Sequence, residues 1–128
     1  MVKLNILVVD DSEDNRKLLT SLITKTGNCF ETAENGKEAI EKLESTAFDL
    51  IFMDLNMPVM TGDAATKYIR TKMSFPKNRI KIIAITAYNY REFFNDYRDA
   101  GFNDIINKPY TTQRITDILN YHNIVSVY

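Results

Sequence analysis

Leu50-Ile51-Phe52-Met53-Asp54-Leu55-Asn56-Met57-Pro58 carries the decisive reading of this chain. Four consecutive apolar residues run into an aspartate, and an Asn and a Pro then break the pattern. A run that is apolar throughout, rather than alternating, is what a strand buried on both faces requires. Working outward, the same kind of run recurs at Leu4–Val9, Cys29–Ala33, Ile80–Ile85 and Asp104–Ile106, beside Leu50–Met53 itself. Between these runs the apolar residues fall at helical spacing. Leu18, Leu19, Leu22 and Ile23 share one face of a first helix, and Ala39, Ile40 and Leu43 one face of a second. Ala65, Tyr68 and Ile69 mark a third, Phe93, Phe94 and Tyr97 a fourth, and Ile115, Ile118 and Leu119 a fifth.

A strand–helix unit repeated five times implies an α/β protein with a parallel sheet covered by helices on both faces. Right-handed crossovers leave few topologies. The economical one is a flavodoxin-like doubly wound sheet of five strands in the order 2-1-3-4-5, with its site at the carboxyl ends of strands 1 and 3. The punctuation agrees with five helices. Gly27 and Gly101 are placed to stop the first and fourth. Thr61, and Thr111 or Thr112, are placed to cap the third and fifth.

A length of 128 residues suits one domain over residues 1–128. The balance of 45% hydrophobic and 26% charged residues is that of an ordinary globular chain. Net charge is −1 and no block of like charges occurs, which argues against a direct nucleic-acid surface. The one cysteine, Cys29, excludes an internal disulfide and reads as a small buried residue. Met1-Val2-Lys3 leads straight into an apolar strand without a signal-peptide pattern, and no apolar run reaches a membrane span. The expectation is a cytoplasmic protein with no membrane contact. The tail Tyr121–Tyr128 is too short to form an output domain.

The chemistry stands at the strand ends. The first strand ends in Asp10-Asp11, the third in Asp54, the fourth in Thr86-Ala87 and the fifth in Asn107-Lys108-Pro109-Tyr110. In the expected sheet all four ends open onto one edge. Carboxylates about 5 Å apart at an effective dielectric near 20 repel by roughly 3 kcal/mol per pair. One lysine cannot neutralise three aspartates, so a divalent cation is implied. All-oxygen donors favour a hard ion. Mg²⁺ suits best, because it takes one or two carboxylates and keeps positions open. One carboxylate beside it can then attack phosphorus. Lys108, the metal, the Thr86 hydroxyl and nearby backbone N–H groups would spread the charge on the transferring oxygens. A carboxylate that is already ionised needs no base, so the site needs no histidine.

These residues resemble the receiver domain of two-component response regulators over nearly the full chain. The likeness rests on Asp10-Asp11, Asp54 before Leu-Asn-Met-Pro, Thr86-Ala87 and Lys108-Pro109, taken as an ordered set. It implies that Asp54 is the phosphoacceptor. It also implies that Asp11, Asp54 and the Asn56 carbonyl bind Mg²⁺ directly, with Asp10 acting through water. Thr86 and Lys108 would meet the phosphoryl group, joined by the backbone N–H groups of Leu55 and Ala87. The Lys108–Pro109 bond is expected to be cis. The partner is expected to be a histidine kinase or a histidine phosphotransfer protein, followed by an unknown output protein. Asn15-Arg16 and Met57–Gly62 resemble receivers of hybrid histidine kinases, which implies a docking surface near Asn15, Leu18 and Leu19. One position departs from the family: Ile105 stands three residues before Lys108, where Tyr or Phe is usual, so the usual Thr–aromatic coupling is not expected. Tyr88 is the residue expected to cover the site partly and slow hydrolysis.

Taken singly, each motif has a plainer reading. Asp10-Asp11 could serve the first helix end, Thr86 could end a strand, and Lys108-Pro109 could be a turn. His122, the only histidine, reads as a solvated residue at the end of the last helix. Phe93, Phe94 and Tyr97 read as core or as a partner-binding face. A flavin module of the same fold would need a phosphate-cradling loop after the first strand, where this chain has Asp10-Asp11-Ser12-Glu13-Asp14. A receiver-like module that is never phosphorylated would be expected to lack an acidic or lysine position, and none is lost. A phosphatase with its aspartyl nucleophile on strand 1 is the enzyme alternative.

Overall fold

The computed structural model describes residues 3–127, with side chains as far as residue 122. The expectations resting on Met1-Val2 and on the end of the tail lie outside these residues. Five strands, β1 (Asn5–Val9), β2 (Cys29–Ala33), β3 (Leu50–Asp54), β4 (Lys81–Thr86) and β5 (Asp104–Asn107), pair in the order β2-β1-β3-β4-β5. Every pairing is parallel. The helices are α1 (Glu13–Lys25), α2 (Gly36–Ser45), α3 (Gly62–Lys72), α4 (Tyr90–Tyr97) and α5 (Thr112–Val127), with a short 3-10 turn at Lys77–Arg79 before β4.

Alternation along the strands builds two cores. Ile6, Val8, Phe52, Ile83 and Ile106 face Leu19 and Ile23 of α1 and Ile115, Ile118 and Leu119 of α5. Leu7, Val9, Ile51, Met53 and Ile82 face Ala39, Ile40 and Leu43 of α2 and Ala65 and Ile69 of α3. A third group, Leu55, Ala84, Phe93 and Ile105, lies under α4. Fully burying a Leu, Ile or Phe is worth about 1.5–3 kcal/mol, so this double-sided burial fixes which way each strand faces. The helix starts are capped by Ser12, Asn35, Asn89 and Thr111, whose side-chain oxygens accept N–H bonds from Asn15, Glu38, Glu92 and Arg114.

Several expectations need correction. β2 is an edge strand and is buried only at its end, so Cys29 at its start is exposed. Leu18 is 52% exposed, because the α1 stripe turned to the sheet is Leu19, Leu22 and Ile23. Tyr68 is also exposed, and of the α4 aromatics Phe93 is core while Phe94 lies on the exposed side of the helix. Thr61 occupies the N-cap of α3 without a side-chain cap bond. Gly27 does follow α1 with φ +83°, but α4 ends at Tyr97, and Gly101 (φ +105°) lies beyond an intervening turn. His122 is buried, not solvated. α5 continues past it to Val127, and His122 shares the inward stripe of Ile115, Ile118 and Leu119. Its Nε2 lies 3.8 Å from Oδ2 of Asp104.

Candidate metal and phosphoryl site

The acidic residues meet because parallel strands end together. Asp10 follows β1 directly and Asp54 ends β3, its neighbour in the sheet. Both are almost fully buried, at 3% and 4% exposure, whereas Asp11 is exposed. One carboxylate oxygen from each of Asp10, Asp11 and Asp54 lies within 4.8 Å of the others. The Lys108 ammonium lies 3.2 Å from Oδ1 of Asp54 and 4.0 Å from Oδ2 of Asp10. Burial foremost, and then the Asp10 charge, pushes the Asp54 carboxyl up to about 6 against the opposing pull of Lys108. Three carboxylates facing one ammonium, on oxygen donors alone, fit a hard divalent cation.

The local chain sets this geometry. Asp10 is held by the Ser12 N–H on its Oδ1 at 2.9 Å and by Arg16 Nη1 on its carbonyl at 2.7 Å. Arg16 also reaches Glu34 at 3.3 Å. Gly62 donates its N–H to the Leu55 carbonyl at 2.9 Å, and a Cβ there would overlap the Asp54 carbonyl oxygen. Only a glycine lets α3 start so close to the end of β3. Val59, in the loop between them, has φ +69°.

Thr86 ends β4 beside Asp54 and is buried; its hydroxyl accepts the Tyr88 N–H at 3.0 Å. The Lys108 N–H bonds the Thr86 carbonyl at 2.8 Å, and Asn107 Nδ2 donates to the Tyr88 carbonyl. These bonds tie the loops after β4 and β5 into one piece. The Lys108–Pro109 peptide is cis, as is Phe75–Pro76. Leu55 and Asn56 follow Asp54 in the loop, Leu55 buried and Asn56 exposed, and Ala87 is exposed after Thr86. Among the described residues, no side-chain hydrogen bond or ion pair joins Leu55, Asn56 or Ala87 to the acidic cluster. Tyr88 is half-buried, with its ring 5.8 Å from that of Tyr97 and packed on the Phe93–Ile105 group. Its contacts therefore run toward α4. Sequence reading placed Tyr110 at the fifth strand end but gave it no role; its phenol is pushed up by burial and by the Asp10 and Asp54 charges. Sequence reading missed Gly62, whose role depends on a contact between segments that no spacing displays.

The family model described as the response regulator receiver domain matches residues 6–120. The chain belongs to that family and is a receiver domain of two-component signalling. It is 37% identical over 115 residues to hybrid signal transduction histidine kinase A of Dictyostelium discoideum, an alignment covering 88% of this chain and 5% of that protein. It is 36% identical over 119 residues to two-component response regulator 24 of Arabidopsis thaliana, covering 92% of this chain and 83% of that protein. The chain thus spans only a small part of the hybrid kinases that it matches. Among solved structures, the receiver domain of a sensor histidine kinase from Pseudomonas aeruginosa, with a magnesium ion in its active-site cleft, superposes with a TM-score of 0.84 at 28% identity. That match covers 94% of this chain and 97% of the other.

Proposed function

We propose that Asp54 is the phosphoacceptor of this receiver, taking a phosphoryl group from a phosphohistidine of a histidine kinase or a histidine phosphotransfer protein. The observation that carries this is the meeting of the Asp10, Asp11 and Asp54 oxygens within 4.8 Å, with Lys108 on Asp54. In this reading Asp11, Asp54 and the Asn56 carbonyl hold Mg²⁺, and Asp10 supports it through water. A bound Mg²⁺ supplies positive charge opposite the phosphoryl oxygens. An Asp54 oxygen forms the new bond to phosphorus as the P–N bond breaks, and the leaving imidazole keeps the electron pair. Lys108 moves from the carboxylate to the incoming phosphoryl oxygens. The Thr86 hydroxyl and the N–H groups of Leu55 and Ala87 complete the set. The chain promotes its own phosphorylation and dephosphorylation but turns over no other substrate.

The donor docks on the groove of about 320 Å³ lined by Asn15, Leu18, Lys108, Pro109 and Tyr110. Leu19, expected there from sequence, is buried and takes no part. Phosphorylation then shifts a two-state surface read by an output partner. Residues 1–128 act as one unit, in the cytoplasm; no described helix is long and apolar enough to cross a membrane.

The test is incubation with a small acyl phosphate and Mg²⁺, followed by intact mass. One added phosphoryl group is expected on the wild type, none on Asp54→Ala, and a strong loss on chelation of Mg²⁺. An unchanged yield on Asp54→Ala would refute the assignment.

A further inference from the structure

A second site, at the opposite end of the sheet, has cations as its only charged lining residues. The stretch Arg70–Lys81 carries Arg70, Lys72, Lys77, Arg79 and Lys81, spaced by neutral residues, and no Asp or Glu. The fold brings Arg70 from α3, Asn78 and Arg79 from the 3-10 turn, Lys81 from the start of β4, and Gly101 and Asn103 from the approach to β5 around one concavity of about 450 Å³.

Its hydrogen-bonding inventory is one-sided. Arg70 uses Nε on the Gly101 carbonyl, Nη1 on the Asn78 and Ile80 carbonyls, and Nη2 on Oδ1 of Asn103, at 2.7–3.0 Å. Oδ1 of Asn103 also accepts the Ile82 N–H. The acceptors that Arg70 and Ile82 reach are thereby taken up, and Oδ1 of Asn78 is buried without a hydrogen-bond partner, the one side-chain acceptor of the lining left open among the described residues. Donors remain. The Arg79 guanidinium, the Lys81 ammonium and the Asn103 NH₂ have no acceptor among the described residues, and Arg70 keeps one N–H to spare. Arg70 itself is half-buried and its charge is disfavoured by burial, with no carboxylate near enough to offset it. A half-buried cation normally sits with a counter-charge.

We propose that this concavity is an anion site for phosphate-class ligands carrying two or more negative charges, with Arg70 as its fixed floor and Arg79 and Lys81 as its contacts. The exposed Arg79 guanidinium fork suits tetrahedral oxyanions, and Arg70 adds a fixed charge and its one spare N–H. The site is separate from the acidic mouth. Lys81 and Thr86 mark the two ends of β4, and five strand steps of about 3.3 Å put roughly 17 Å between them.

The test uses the full chain in EDTA, so that no metal recruits phosphate to Asp54, at ionic strength held constant with KCl. Pyrophosphate, inorganic phosphate and adenosine monophosphate are titrated separately while backbone amide shifts are followed by NMR. Saturable shifts confined to Asn78–Lys81 and Gly101–Asn103 are expected with pyrophosphate. The double variant Arg79→Ala/Lys81→Ala should weaken binding at least tenfold while its spectrum stays folded, and Asp54→Ala should bind as the wild type does. If adenosine monophosphate matches pyrophosphate, the source is a phosphomonoester; if only the inorganic ions bind, it is free phosphate. Shifts that KCl alone reproduces, that survive the double variant, that vanish in Asp54→Ala, or that only a polyglutamate peptide elicits would overturn the proposal.

Discussion

At the scale of the residue, Asp54 shows a site arranged at the expense of stability. Its carboxyl is held near 6 by burial and by Asp10, so near neutral pH the metal-free protein keeps an ionised group that it disfavours. A shift from 3.8 to about 6 corresponds to roughly 3 kcal/mol. That net shift already includes the opposing pull of Lys108, and the amide put in the carboxyl's place still buries a polar group there. Asp54→Asn is therefore expected to stabilise the metal-free protein by about 1–2 kcal/mol at pH 7, read as a higher urea midpoint in EDTA. A lower midpoint would mean that the Lys108 contact outweighs the crowding. Lys108→Ala should weaken the conformational response to acyl phosphate more than it weakens Mg²⁺ binding. Equal loss of both, by NMR titration, would contradict the role given to Lys108.

Between elements, two contacts decide how the site is held. Gly62 lets α3 begin against the end of β3, and a methyl group there collides with the Asp54 carbonyl, which is backbone and cannot step aside. Overpacking of this kind costs about 1–3 kcal/mol. Gly62→Ala should therefore lower the melting temperature and also reduce phosphorylation, because the displaced atom belongs to Asp54, the proposed phosphoacceptor. A variant as active as the wild type would show that the helix simply shifts. The second contact joins β5 to α5 through Asp104. Burial would raise its carboxyl, but the His122 imidazole 3.8 Å away, the Ile105 N–H and the Arg114 charge together hold it below its ordinary value. A depressed carboxyl adds stability above the unfolded value of 3.8, and that contribution is lost as pH falls through the folded value. Asp104→Asn should cost about 1 kcal/mol at pH 7, and its deficit against the wild type should begin to shrink as pH falls below 3.8. A deficit that stays constant on acidification through that range would point to packing instead.

For the whole molecule, the sheet order and the meeting of Asp10, Asp11, Asp54 and Lys108 were legible because they follow from periodicity and topology. Strands buried on both faces announce themselves, and residues just after them must share an edge. The misreadings have a common cause, which is that burial depends on neighbours the sequence does not display. Cys29 looked internal, but its strand is at the margin of the sheet. His122 looked terminal, but α5 runs another turn. Phe94, half of an apolar pair in sequence, is exposed while Phe93 is buried. The same fold-level view predicts ligand-linked stability: Mg²⁺ at ten times its dissociation constant should add about 1.4 kcal/mol. A melting temperature indifferent to Mg²⁺, in a protein that still becomes phosphorylated, would place the metal outside the ground state.

The bond between the Lys108 N–H and the Thr86 carbonyl joins the two loops that face Asp54, and Asp10 stands near the opposite end of the chain from Lys108. A ribosome must therefore have delivered the chain as far as Lys108 before the cluster can exist. Nascent chains halted before residue 108 should have no competence to accept a phosphoryl group, so synthesis of the fifth strand's loop is the step that arms the domain.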